Sequence, residues 1–116
     1  GGEVALLRAS KELEKLTADG AENTGIQIIR QALQKPIDVL AHNAGSTGSQ
    51  VIKNVLKSEN INYGWDAAKD EYCDLMERGI IDPLKVVRSA VTNATAILNI
   101  LLITEVVTVD EDENVV

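Results

Sequence analysis

Aromatic residues are scarce in this 116-residue chain, which has one Trp, two Tyr and no Phe. Any core must be built from Leu, Ile, Val and Ala. Cysteine occurs once, at Cys73, so an internal disulfide is excluded, which suits a reducing compartment. No base lies near Cys73 in sequence to activate a thiol, and it reads as a small packed side chain. Histidine also occurs once, at His42, which excludes a Cys/His zinc cluster and leaves no basis for a Ser-His-Asp arrangement. Positive charge is short: 11 Lys and Arg stand against 18 Asp and Glu, for a net charge of −7 and a pI near 4.6. A nucleic-acid-binding module carries a basic face, so that class is disfavoured. There is no Walker loop and no strand-linked GxGxxG. The longest apolar stretch, Val86 to Ile103, is interrupted by Arg88, Ser89, Thr92, Asn93, Thr95 and Asn99, which argues against a membrane span. The chain opens on Gly1-Gly2 with neither an initiator Met nor a basic-then-apolar leader. The expectation is a piece that begins inside something longer, without a signal peptide.

What is present is helical spacing. Leu6, Ala9, Leu13 and Leu16 repeat along Val4 to Leu16 and predict a first helix. Ile26, Ile29, Leu33, Ile37 and Leu40 keep phase through Pro36, predicting one long helix from about Glu22 to Asn43 with the proline inside it. Val51, Ile52, Val55 and Leu56 predict a third helix over Ser49 to Lys57. Tyr63 and Trp65 alternate around Gly64, as in a short extended piece or hairpin arm near 62–68. A small fourth helix is expected over Lys69 to Arg78, with Tyr72, Leu75 and Met76 inward and Gly79 ending it. Asp82-Pro83 reads as an N-cap followed by proline at the first helical position, opening a long helix to about Ile103. Val87, Ala90, Val91, Ala94, Ile97, Leu98 and Leu101 give that helix a broad apolar face and a central position. The β-branched run Val106 to Val109 predicts a C-terminal strand near 105–109, without an obvious partner strand. Asp110 to Glu113 begins an acidic, solvated tail over 110–116. The fold class is thus mostly α, with about five helices.

Two places can carry chemistry. Gly1-Gly2 stands directly before a helix, where glycines let a ligand approach the backbone. The stretch NYGWDAAKDEYCDLMERGIIDP, residues 62–83, sets Ala67 and Ala68 beside Asp66, leaving room for a flat ring next to an acceptor for an exocyclic amine. Asp82 can cap a helix and accept from sugar hydroxyls. The residues alone leave both readings open: two helix caps, or one side of a nucleotide site.

The stretches GGEVALLRASKELEKL, NYGWDAAKDEYCDLMERGIIDPLKVVRSAVTNA and TEVVTV resemble the C-terminal part of the group I chaperonins, the GroEL/Hsp60 family, in the right order and over essentially the whole chain. The resemblance implies an ATP-driven protein-folding machine built of identical subunits in a double ring. Residues 1–109 would be the helical C-terminal part of the equatorial domain, which binds nucleotide and makes most ring contacts. It implies ATP or ADP with Mg as cofactor in the parent. Other chaperonin subunits, a co-chaperonin and unfolded client proteins would be the partners, with no nucleic acid and no membrane. The parent would work in the cytoplasm of a bacterium or an organelle matrix of a eukaryote. By the same resemblance, Asp66, Ala67 and Ala68 would lie against the adenine, with Ile80 flanking the base and Leu40 covering its other side. Asp82 would bind the ribose hydroxyls, and the backbone of Gly2 would face the nucleotide.

Two residues depart from the family pattern. Asp66 stands where Asn is common, and Glu3 replaces the third glycine of a GGG run. The family's GDGTT-type phosphate loop and its water-activating aspartate are not among these residues. No residue here is therefore assigned a catalytic role or a metal, and the segment alone is expected neither to bind nor to hydrolyse ATP. Its C-terminal strand would pair with a neighbouring subunit in the ring; alone, the segment would be a monomer or a dimer. The alternative from another class is a standalone helical module that works by packing against partner proteins.

Overall fold

Short aliphatic side chains at helical intervals build three helices and leave a hairpin to close them. The computed structural model describes residues 1–113. It divides into a first unit, Gly1–Ile81, and a second that begins at Asp82. In the first unit, α1 (Val4–Glu12) runs into a 3-10 turn, Leu13–Lys15. Helix α2 (Gly20–Asn43) carries Pro36 inside it without a break, as its unbroken stripe predicted. Helix α3 (Gly48–Lys57) follows, then β1 (Tyr63–Asp66) and β2 (Glu71–Asp74).

The core of this unit is small and aliphatic around one ring system. Val4 and Leu7 of α1, Ile37 and Ala41 of α2, Val51 and Val55 of α3, Trp65 of β1 and Leu75 are all buried. The α1 face differs from the expected one. Leu6 is half-buried, Ala9 is exposed and Leu16 is exposed, whereas Val4, Leu7 and Ser10 face inward. Both stripes have helical spacing, one residue out of phase. Ser10 enters the core because its hydroxyl donates to the Leu7 carbonyl at 2.7 Å and accepts from the Gln34 amide at 3.3 Å, so no polar group is left bare.

The expected helix over 69–78 is replaced. Residues 71–74 form β2, antiparallel to β1, with Tyr63 opposite Asp74, Gly64 opposite Cys73, Trp65 opposite Tyr72 and Asp66 opposite Glu71. The rings of Tyr63 and Tyr72 stack at 6.2 Å between centroids. Apolar residues at Tyr72, Leu75 and Met76 imitate a helical stripe, but β1 offers an unpaired edge directly alongside, and the ladder wins. What is helix-like is one turn. The Asp74 carboxylate accepts from the amides of Met76 (2.9 Å) and Glu77 (3.1 Å), and Gly79, at φ 71°, closes the turn as the Ile80 amide donates to the Leu75 carbonyl.

The second unit is α4, Leu84–Glu113. The carbonyl of Pro83 accepts from Val86 and Val87, so Pro83, one residue beyond Asp82, occupies the position that opens the helix. The backbone stays helical through the expected strand at 105–109 and the first residues of the expected acidic tail; Asn114 to Val116 lie outside the described residues. A strand needs a partner edge, and the only sheet among the described residues is β1-β2. A helix satisfies its own backbone, so the weak β-preference of Val106 to Val109 is overridden. Within its own unit α4 leaves Leu84 and Val86 exposed, together with Ile97, Leu98 and Leu101 of the expected apolar face. The polar interruptions are also milder than the sequence suggested, because Thr92 and Thr95 donate to carbonyls four residues back. By length and composition alone, Leu84–Thr104 is long and apolar enough to cross a membrane.

Candidate functional site

The N-terminal end of α1 lies against Ile80 and the β1-β2 hairpin. Gly2 and Glu3 both adopt left-handed backbone, at φ 59° and 62°. This double left-handed step turns the chain into α1 and lays Gly1-Gly2 against the hairpin. A Cβ on Gly1 would fall 2.3 Å from the Ile80 carbonyl oxygen; one on Gly2 would fall 2.9 Å from Leu75 Cδ1 and 3.5 Å from the Trp65 carbonyl oxygen. Both glycines therefore answer to close packing within the chain. Glu3, which takes the same conformation with a side chain, makes no capping hydrogen bond with it.

Asp66 ends β1 and organises the loop that follows. Its Oδ1 accepts from the amides of Ala68 (3.0 Å) and Lys69 (3.3 Å), while its carbonyl accepts from Lys69, closing a turn with Asp in the first position. The expectation of a helix cap at Asp66 is thus corrected to a cap of the hairpin turn. Asp70, at φ 54°, receives the Trp65 indole N–H at 2.9 Å and ties the far side of the loop to the core. Ala67 packs on the core and Ala68 is exposed at the tip. Asp66 is 7% exposed and is the one acidic residue buried among the described residues. Its Oδ2 lies 3.7 Å from Nη1 of Arg78, whose Nη2 donates to Glu71 at 2.6 Å.

Other groups fix the approach to β1. The Arg8 guanidinium donates to the carbonyls of Ser58 (2.9 Å), Val55 (3.1 Å) and Asn60 (2.9 Å), capping the C-terminal end of α3 and holding the segment before the hairpin. The Asn60 amide donates to Asp74, and with the amides of Glu77 and Met76 it holds that carboxyl below the usual range. Leu40 and Ile80 pack against the same core as Ala67. A crevice of about 140 Å³ opens between Gly1, Val4, Leu75, Met76 and Ile80.

Of the residues singled out in the sequence, Gly2, Leu40, Asp66, Ala67, Ala68 and Ile80 belong to the first unit. Asp82 opens the second. Arg78 was missed, because its contact with Asp66 depends on the hairpin register, which helical spacing had concealed. Arg8 left no local signal either; its three acceptors lie some fifty residues away.

The sequence model of the TCP-1/cpn60 chaperonin family matches residues 1–111. The mitochondrial chaperonin CPN60-1 of Cucurbita maxima is 48% identical over 117 residues, covering 98% of this chain and 20% of its own length. The mitochondrial chaperonin CPN60 of Arabidopsis thaliana is 48% identical over 111 residues, covering 95% and 19%. The chain thus spans about a fifth of the length of the curated relatives it matches. Among solved structures, an open-state monomer of a group II chaperonin from Methanococcoides burtonii superposes with a TM-score of 0.81 at 24% identity, over 88% of this chain and 27% of that one, which shows a shared fold.

Proposed function

The chain belongs to the TCP-1/cpn60 chaperonin family, and on that premise we propose that it forms the C-terminal part of the equatorial domain in a subunit of an ATP-driven protein-folding ring. The observation that carries this reading is the convergence at the start of α1. Gly1 lies so close to Ile80 that no Cβ would fit, and the two share a crevice. A Cβ on Gly2 would reach the carbonyl of Trp65, the residue before Asp66. The start of α1 thus lies against both the hairpin and the segment before Asp82.

The residues present fit the base and ribose side of an adenine nucleotide. Asp66 and Ala67 offer an acceptor next to a small side chain, Ala68 leaves the tip uncrowded, and Ile80 and Leu40 supply apolar surface for a flat ring. Asp82 supplies a carboxylate suited to the ribose hydroxyls. The backbone of Gly2 would face the nucleotide. Nothing in this set replaces a phosphate loop or a carboxylate that activates water, so those parts, and the Mg they hold, come from elsewhere in the parent. Bound ATP would supply the free energy that drives the folding cycle. The chain's own residues orient the base and sugar.

The exposed apolar side chains of α4 also suit this reading, as a surface covered by the rest of the domain and by neighbouring subunits. The relatives named above are mitochondrial, which supports an organelle matrix for a eukaryotic parent. Client proteins and a co-chaperonin would be its partners.

The test is native mass and turnover in the source cells. An antibody against this chain should find it in a particle many times heavier than 12.5 kDa. That particle should hydrolyse ATP, and Asp82→Ala should weaken its nucleotide affinity. The isolated 116-residue chain should show no turnover. A native mass near 12.5 kDa would sink the proposal and favour a standalone interaction module.

A further inference from the structure

We infer that Arg78 is the positioning residue that lets an aspartate serve at position 66 of the proposed nucleotide site. The inference rests on the reading of Asp66 as a base contact. A carboxylate that is only 8% exposed needs either a counter-charge or several donors. The donors of the turn account for one oxygen: Oδ1 takes the amides of Ala68 and Lys69. The other, Oδ2, has Arg78 Nη1 at 3.7 Å, an ionic contact rather than a tight hydrogen bond. It therefore keeps lone pairs not committed to a tight hydrogen bond.

The register makes the need for Arg78 sharper. Asp66 and Glu71 are directly opposite each other at the end of the β1-β2 ladder, where like charges repel. Arg78 lies between them, with Nη2 anchored on Glu71 at 2.6 Å and Nη1 turned to Asp66. Its chain position is fixed by the turn that Asp74 caps and Gly79 closes. One planar guanidinium thus separates two carboxylates, using a different nitrogen for each, and holds Oδ2 of Asp66 in one direction. Without it, Oδ1 would stay on the amides of Ala68 and Lys69, but Oδ2 would be left beside Glu71 with no counter-charge. The carboxylate proposed to meet the base would then lose the group that neutralises and directs its second oxygen.

The experiment uses the full-length parent in its assembled ring and a fluorescent ADP analogue. Arg78→Gln is expected to weaken binding roughly fivefold, the effect of losing a partly solvated charge contact. Arg78→Lys, which keeps the charge but offers one nitrogen to two carboxylates, should recover only part of that loss. In an Asp66→Asn background, Arg78→Gln should have no further effect, because the residue acts through the carboxylate. Equal losses with and without Asp66, or affinity unchanged in Arg78→Gln, overturns the inference while leaving the nucleotide reading intact. If Arg78→Gln does not assemble, Arg78→Lys decides: a partial loss that disappears in the Asp66→Asn background supports the inference, and unchanged affinity or an equal loss in both backgrounds overturns it. An unaltered ring that binds no adenine nucleotide overturns both readings.

Discussion

In the first unit Leu7, Val51 and Val55 are enclosed almost completely, whereas in α4 Leu84 is 79% exposed and Ile103 is 67% exposed. The residue types are the same. What differs is the surface offered to them. Three helices and a hairpin give the first unit several faces that can close on one another around Trp65, and a single helix has no second face. Apolar content in a sequence records what must be covered, and the covering surface has to be supplied by other chain. On the proposed reading, the chain that covers α4 is the rest of a parent subunit or its neighbours in a ring.

The comparison breaks most readily in a mutational pair. Trp65→Ala removes the largest buried side chain of the first unit and should cost about 3–5 kcal/mol in chemical denaturation of the 116-residue chain. Leu84→Ala in α4 should cost under about 0.5 kcal/mol there, because its side chain is 79% exposed. A Leu84→Ala cost as large as that of a core truncation would show that α4 is covered after all.

Glycine substitutions sharpen the same contrast on a smaller scale. A Cβ on Gly64 would lie 2.4 Å from Leu75 Cδ1 and 2.6 Å from Val4 Cγ2, so Gly64→Ala should cost about 1–3 kcal/mol by overpacking. Gly25, inside α2, has open space at its Cβ, and Gly25→Ala should stabilise by about 0.5–1 kcal/mol through helix propensity. Thermal melts of the two variants should move in opposite directions. Melting temperatures that fall together would mean that α2 is packed more tightly around Gly25 than its surroundings show.

An effect of about the size of that at Gly25 is expected at Glu3. Its left-handed backbone carries a side chain that makes no cap bond, so Glu3→Gly should raise stability by about 1 kcal/mol. A melting temperature that falls instead would mean that the side chain makes a stabilising contact at the start of α1.

Much of this was legible from residue order. Helical spacing predicted α2 through Pro36 and α3 with its Val51 and Val55 face, since a stripe that long admits one backbone period. Tyr63-Gly64-Trp65 read correctly as a hairpin arm. The motif spanning Asn62 to Pro83 pointed to the family before any contact was known. Local order also showed that a glycine pair precedes α1 and that Asp66 stands beside two alanines.

Tertiary structure decided the rest, wherever local patterns were degenerate. Two stripes on α1 had equal spacing, and the core chose Val4, Leu7 and Ser10 because a hydroxyl can satisfy itself on a helix carbonyl. Tyr72 to Met76 suited a helix face as well as a strand, and the free edge of β1 settled it. Val106 to Val109 suited a strand, and without an edge to join, the backbone closed its hydrogen bonds as helix. Arg78 met Asp66 only because that register brings Glu71 opposite it. A sequence by itself determines which side chains must find partners. Which partner each one finds depends on the surfaces that folding brings within reach.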